Sequence, residues 1–537
     1  MKYRSWIFLS LIFCICLFTR FTNLNWGAPF YFHPDERNIA SHVSELRFPT
    51  QLNPHFFAYG SLPIYSIYAT GVIYNVFSTC HLSVIQCQVT FEQAIIISRI
   101  WSAVFSIGVT ILLISISHKL YGEKVAGLVG LLAVFSTGLI QFSHFGTFEM
   151  WTTFFSVLLC YTLLFPPKQY FLSLLYSGIF VGILISIKVS NLVFLPLVLL
   201  VLCIPVLFKV TKKTFVKSAL YIVISVLCIT FCAFMIFIIT NPFVLLDQTA
   251  FKNSMQYETS VALGTLPVFY TQEFMQTIPF IYQYIKVFPF LLSPLLGIVF
   301  PFFIIYAFYL LWEKKSFSLF IICSFFLFLL IPQAVLFVKW TRYMLPTLPF
   351  IYLLVGGVLF QFSKNRRVFI PLCMILVSVN ILHSISYFSI AFLQPDTRVQ
   401  ASQKATTLLP ADTPILSEMY DLGIVPFNEH FPKITLFNFY DVDTQPQLVE
   451  QFTQSRQANS AVILPSQRVL STRISPMQFP VSSPFYQSLF NESLYKKLYS
   501  TPCQLLCQIV YLGDPIHRFE QTASVFDRPT IYIFQRL

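Results

Sequence analysis

Eleven apolar runs, each near the length that crosses a bilayer, recur through the first 391 residues of this 537-residue chain. In lipid every backbone N–H and C=O must be satisfied within its own segment, so runs of this length can only be helices. The runs lie near 6–24, 94–117, 125–142, 149–165, 170–187, 191–208, 218–240, 288–311, 316–338, 343–360 and 367–391. Beyond them the chain turns polar. The expected fold is an α-helical polytopic membrane domain over 1–394, followed by an extracytoplasmic α/β domain over 395–537. The run Trp6–Leu24 follows Lys2 and Arg4, as a signal peptide would, but no small-residue cleavage site comes after it. It is read as a retained first span.

The net charge of +12 does not point to nucleic acid, because the basic residues form short clusters between the spans. Such clusters orient a membrane protein. Most of the 12 cysteines fall within apolar runs, where they act as small hydrophobes. Cys503 and Cys507 are the one pair read as a candidate disulfide, and their spacing fits one face of a helix equally well.

The segment 61–79, "SLPIYSIYATGVIYNVFST", is apolar and nearly long enough to cross. The positive-inside rule decides against it. If it does not cross, then Lys2/Arg4, Lys119/Lys124, Lys168, Lys209/Lys212/Lys213/Lys217, Lys314/Lys315 and Lys364/Arg366/Arg367 share one side. The segment is therefore placed along or partly within the outer interface. That gives 11 spans, a cytoplasmic N-terminus, and external loops near 25–93 and 241–287.

The same parity puts a few charges on the outer face: Asp35/Glu36, Glu149, Lys188, and Lys339/Arg342. Each has a structural alternative. Pro34-Asp35-Glu36 is also a good helix start. Glu149 can simply cap its span, and Lys188 can snorkel at a helix end. Lys339 and Arg342 resist that reading, because they stand on the face kept poor in cations. Carboxylates and cations on one membrane face suit displacement of a lipid phosphate by an alcohol, with a general base and a stabilised leaving group.

At this point the chain resembles the GT-C membrane glycosyltransferases, and within them the protein O-mannosyltransferase-like branch that uses polyprenyl-phosphate sugars. "FHPDE" (32–36) looks like the first-loop Asp-Glu motif, and "NPHFFAYGSLPIY" (53–65) like the interfacial segment of that loop. "SHFGTFEM" (143–150) is similar to the second acidic site, with Glu149 where the family usually carries Asp. "SIKVSN" (186–191) resembles a lysine-bearing loop, and "KWTRYMLPTLP" (339–349) a Lys…Arg-Tyr…Pro signature. "PDTRVQAS" (395–402) and "FDRPTIYIFQR" (526–536) resemble the opening and close of the exported domain.

The resemblance implies inverting transfer of a mannose-like hexose or a pentose from a polyprenyl-phosphate carrier to an acceptor hydroxyl on a protein, lipid or glycan. Asp35 would be the general base, Glu36 would position the acceptor, and Glu149 would orient acceptor or sugar. Lys188, Lys339 and Arg342, with Tyr343, His33 and His144, would bind the substrates. No cofactor is required. His33 and His144 are read as hydrogen-bonding partners, with a divalent metal held by them as the alternative.

The loop 241–287 is either a cover for the site or an ordinary amphipathic connector. In the tail, "TRVQASQKATTLLP" reads as a helix, and "TPILSEM", "SAVILPS", "QIVYLGD" and "TIYIFQ" as strands. A rival reading of the whole is a transporter or flippase of a lipid-linked glycan. It would place its charges near the bilayer midplane rather than at one interface.

Overall fold

The structure is a computed structural model and describes residues 3–78, 80, 87–207, 215–266, 268–468, 470–473 and 475–537. Lys2, Lys209, Lys212 and Lys213, on which part of the topology rests, lie outside the described residues, as do residues 79 and 208. Among the described residues seven helices are long and apolar enough to cross a membrane: Phe91–Tyr121, Tyr170–Ile187, Phe215–Thr240, Pro294–Lys314, Phe317–Val335, Thr341–Phe360 and Arg366–Leu393. Three shorter apolar helices, Ser10–Phe21, Glu149–Leu164 and Val189–Ile204, fall on three further expected runs.

The remaining run, 125–142, is not the straight helix its hydropathy suggests. Glu123–Val134 and Thr137–His144 meet at a bend of 50°. Ser136 causes the break: its hydroxyl accepts from the Leu139 N–H and starts a new helix, and Tyr352 donates to it at 2.7 Å. The carbonyls freed at the bend are taken by buried Arg20, whose Nη1 and Nη2 donate to Val134 and Ala133 at 2.9 and 3.0 Å. This is how a break inside an apolar span avoids orphan backbone groups.

The doubtful segment forms the helix Ser61–Ser78, which is not among the helices long and apolar enough to span. Its buried Asn75 donates to the Gln88 carbonyl and to Gln93. Cys503 and Cys507 are joined, and so are Cys80 and Cys87, a second disulfide that the sequence reading did not identify. Cys80 was hidden by the apolar run beside it, where a cysteine reads as a small hydrophobe.

The tail carries a five-stranded sheet: β1 (Ile415–Glu418), β2 (Ile434–Phe437), β3 (Ala461–Leu464), β4 (Tyr495–Ser500) and β5 (Tyr532–Arg536). The order is β2-β1-β3-β5-β4, with β1 parallel to β2 and β3, and β5 antiparallel to β3 and β4. "QIVYLGD" is not a strand. Leu505–Tyr511 is a helix whose buried Val510 and Tyr511 lie against the membrane helix Arg366–Phe388. His383 on that helix sits 3.2 Å from the Val510 carbonyl. A short apolar run fits a strand and a buried helix equally well.

The tail is keyed into the membrane domain elsewhere too. Tyr387 and Gln141 both donate to Asp527. Arg398 donates to the Phe526 carbonyl and lies over the Phe32 ring at 3.7 Å.

Candidate functional site

The site is assembled from helix ends. The helix Pro34–Glu45 begins with proline at its first position and Asp35 and Glu36 in its first turn. Adjacent residues on a helix point about 100° apart, and the two acids part company. Asp35 reaches out to Arg342, and the two form an ion pair. Glu36 turns inward, where Arg99 grips it with two hydrogen bonds of 3.0 and 2.6 Å. Both side chains of that pair are fully buried. The Gly146 N–H also donates to Glu36, at 2.5 Å. Arg99 spends its remaining donors on the Leu24 and Trp26 carbonyls and stacks over Trp26. Three of the roughly four acceptor sites of the Glu36 carboxylate are thus taken, and Glu36 is not among the residues lining the cavity described next. It ties the first loop to the helix Phe91–Tyr121 and fixes the turn that presents Asp35.

Glu149, Lys188, Arg342 and Tyr343 come together. They line one cavity, partly open to solvent, with Tyr59, Phe148, Thr152, Ser190, Asn191, Gln333 and Pro346. Glu149 opens its helix and leaves Oε2 buried without a hydrogen-bond partner among the described residues. Lys188 ends the helix Tyr170–Ile187, and its Nζ lies 4.7 Å from the Tyr343 ring and 5.8 Å from Tyr59. Arg342 stands in the first turn of the span Thr341–Phe360, over the Trp340 ring at 4.5 Å. Its Nε is a second buried polar atom of this wall without a partner among the described residues. Gly60 seats the wall residue Tyr59. Its N–H donates to the Ile187 carbonyl at 2.9 Å, and a Cβ there would lie 1.9 Å from the Ser186 carbonyl oxygen.

Five of the nine expected residues stand outside the cavity lining: Asp35 and Glu36, already described, and Lys339, His144 and His33. Lys339 precedes the helix rather than sharing a face with Arg342, and its Nζ donates to the Phe337 carbonyl at 2.9 Å. Burial lowers its pKa. His144 is fully buried, with its ring nitrogens 2.8 and 3.0 Å from the Ile140 and Thr22 carbonyls and its ring stacked on Phe392. It holds the bent span to the end of the first helix. His33 packs between Phe145 and Phe526 just ahead of Asp35. Burial lowers its pKa against the opposing pull of Glu36 and Asp35. Among the described residues no group of three or more His, Cys, Asp or Glu is placed to hold a metal ion.

Burial pushes the Asp35 carboxyl up, but Arg342, then His33, outweigh it and hold the group below its ordinary range. Arg468, from the tail, adds to that pull. Burial raises the pKa of Glu258, on the helix Gln248–Leu263, against the opposing pull of Lys188 and Arg342. Neither Glu258 nor Arg468 carried a sequence signal, being single charges in polar stretches. Tyr59, Asn191 and Gln333 were missed because they are uncharged. Tyr59 and Asn191 lay inside the quoted stretches "NPHFFAYGSLPIY" and "SIKVSN" without being singled out, and Gln333 lay in none.

No protein-family model matches the chain, and no curated protein matches it. Solved structures do. The archaeal oligosaccharyltransferase AglB from Archaeoglobus fulgidus, in complex with an inhibitory peptide and a dolichol-phosphate, matches at TM-score 0.53 and 12% identity, over 100% of this chain and 88% of that one. The same enzyme tethered to an acceptor peptide matches at TM-score 0.52 and 12% identity, over 94% and 73%. ArnT from Cupriavidus metallidurans bound to undecaprenyl phosphate matches at TM-score 0.49 and 13% identity, over 99% and 98%. The chain has the fold of that Archaeoglobus fulgidus oligosaccharyltransferase, and in it a polytopic helical membrane domain is followed by a C-terminal domain built on a small sheet.

Proposed function

We propose that this chain is an inverting glycosyltransferase of the protein O-mannosyltransferase-like kind. It takes a mannose-like hexose or a pentose from a polyprenyl-phosphate carrier. It passes the sugar to an acceptor hydroxyl on a protein, lipid or glycan at the outer face of the membrane. One observation carries the reading: Glu149, Lys188 and Arg342, far apart in sequence, line one cavity, and Asp35 joins them through Arg342. Two orphan polar atoms, Glu149 Oε2 and Arg342 Nε, mark the wall as built for a polar ligand. The AglB structure holds a dolichol-phosphate, which is the chemical class of the leaving group proposed.

In the proposed step the acceptor oxygen attacks the anomeric carbon as the bond from that carbon to the phosphate oxygen breaks. Asp35 takes the acceptor proton. The electron pair leaves on the polyprenyl phosphate, where Arg342 and Lys188 meet the charge, the former with a planar fork suited to phosphate. Glu149 orients the incoming group. The two cations supply the leaving-group charge, so no cofactor is required. The positive-inside distribution places the N-terminus in the cytoplasm and the site outside.

The test is transfer of radiolabelled sugar from synthetic polyprenyl-phosphate mannose and a pentose analogue by the purified full chain, with and without a chelator. Label is expected in the acceptor fraction in both cases, and not with Asp35→Asn. Movement of intact lipid-linked sugar across vesicles without cleavage would instead make the chain a transporter and overturn the proposal.

A further inference from the structure

The span that carries Arg342 and Tyr343 starts without a cap of its own. Its N-cap residue is Trp340, which makes no side-chain capping bond. An indole has a donor and no acceptor, so the leading N–H groups of the helix are left for another residue to satisfy. Glu520 does so from the C-terminal domain. Its Oε2 accepts from the Thr341 N–H at 2.9 Å and from the Thr341 hydroxyl at 2.7 Å. Both residues are buried, at 1% and 0% exposure. Glu520 is in turn held in place. Its carboxylate accepts from the Thr522 N–H at 3.1 Å and from the Thr522 hydroxyl. Its own N–H donates to the Lys286 carbonyl at 3.1 Å, in the second external loop. A single residue therefore joins the tail, that loop and the first turn of the Arg342 helix, through its backbone N–H and its carboxylate. A negative charge here also suits the positive end of the helix dipole.

We propose that Glu520 is a positioning residue for the donor site: it caps the helix at Thr341 and thereby sets the direction in which Arg342 presents its guanidinium. This makes the C-terminal domain part of the donor site rather than a cover over it. The inference rests on the reading of Arg342 as the ligand of the donor phosphate.

The experiment measures the affinity of the purified full chain for a short-chain polyprenyl phosphate, with the thermal midpoint recorded for every variant. Glu520→Ala is expected to weaken binding about tenfold, the usual consequence of losing a good cap, while the acceptor KM stays put. Glu520→Gln keeps an acceptor for Thr341 but not the charge, so it should bind more tightly than Glu520→Ala and clearly more weakly than the wild type. It also stands in if the alanine variant does not fold, because charge loss alone should still weaken binding measurably. Arg342→Ala serves as the reference. If it abolishes binding and a folded Glu520→Ala binds normally, the positioning role is wrong and the donor site stands. If Arg342→Ala binds normally, the donor-site reading fails and the role of Glu520 goes with it. Normal binding by Glu520→Gln, with no alanine variant to compare, also overturns the role.

Discussion

Asp35 and Glu36 are neighbours with opposite fates, and their substitutions should separate cleanly. Asp35→Asn keeps shape and hydrogen bonding, and position 35 lies inside the first turn behind the N-cap His33, so no cap is lost. It should lose about 10²–10⁴-fold in turnover if the proposed base role holds, with the thermal midpoint little changed. A folded variant with undiminished turnover would show that the motif starts a helix and does no chemistry. Glu36→Gln should behave in the reverse way. Arg99 is fully buried and would keep its charge without a counter-ion. Breaking such a pair from one side costs about 3–5 kcal/mol, so the loss should appear as a large drop in thermal midpoint. A stable Glu36→Gln with only a raised acceptor KM would restore the acceptor-positioning role that the sequence suggested. For Arg342, replacement by Lys should recover only part of the donor affinity lost on replacement by Ala, because a point charge does not reproduce the fork. Equal affinity of the Lys variant and the wild type would argue for simple charge attraction.

At the scale of elements, hydropathy made the spans legible, and outlying charges made Glu149, Lys188 and Arg342 legible. What stayed hidden depended on direction. Sequence spacing does not say that Lys339 sits before its helix, or that Ser136 breaks a span that Arg20 then repairs. Nor could it show that Glu520 meets Thr341 across 179 residues. The joint around Glu520 holds a second acid. Glu273 accepts from Tyr282 at 3.1 Å through one oxygen, and the other has no partner among the described residues. Burial first, and the Glu520 charge second, push its carboxyl up to about 8, with Lys286 and Tyr282 pulling the other way. The folded state thus keeps a proton that the unfolded chain gives up near pH ~4.3. The stability contributed by this proton is full below that value and is lost as pH rises to about 8. Glu273→Gln keeps the Tyr282 bond and cannot ionise, so it should flatten the fall in thermal midpoint between roughly pH 5 and 8. An unchanged slope would mean that Glu273 does not hold the proton.

For the whole molecule, the first question is orientation. Cysteines placed at Lys364 and Lys404, both exposed, should react with a membrane-impermeant maleimide from opposite sides, with position 404 outside. Labelling of both from the same side would overturn the topology. The sheet order then has a consequence for biosynthesis. β5 lies between β3 and β4, so the sheet has no continuous hydrogen bonding until residues 532–536 have emerged and threaded between two strands made earlier. Glu520 lies in the segment just ahead of that strand. Every residue lining the cavity is synthesised by position 346, yet the helix bearing Arg342 waits for its cap until a much later stretch has been made and folded. A nascent or truncated chain would then sit in the membrane with its cavity residues complete and its donor site slack. Deleting residues 532–537 should therefore leave membrane insertion intact and lower polyprenyl-phosphate affinity at least as much as Glu520→Ala. A truncated chain that binds as tightly as the full one would show that the membrane helices hold their site without help from the sheet.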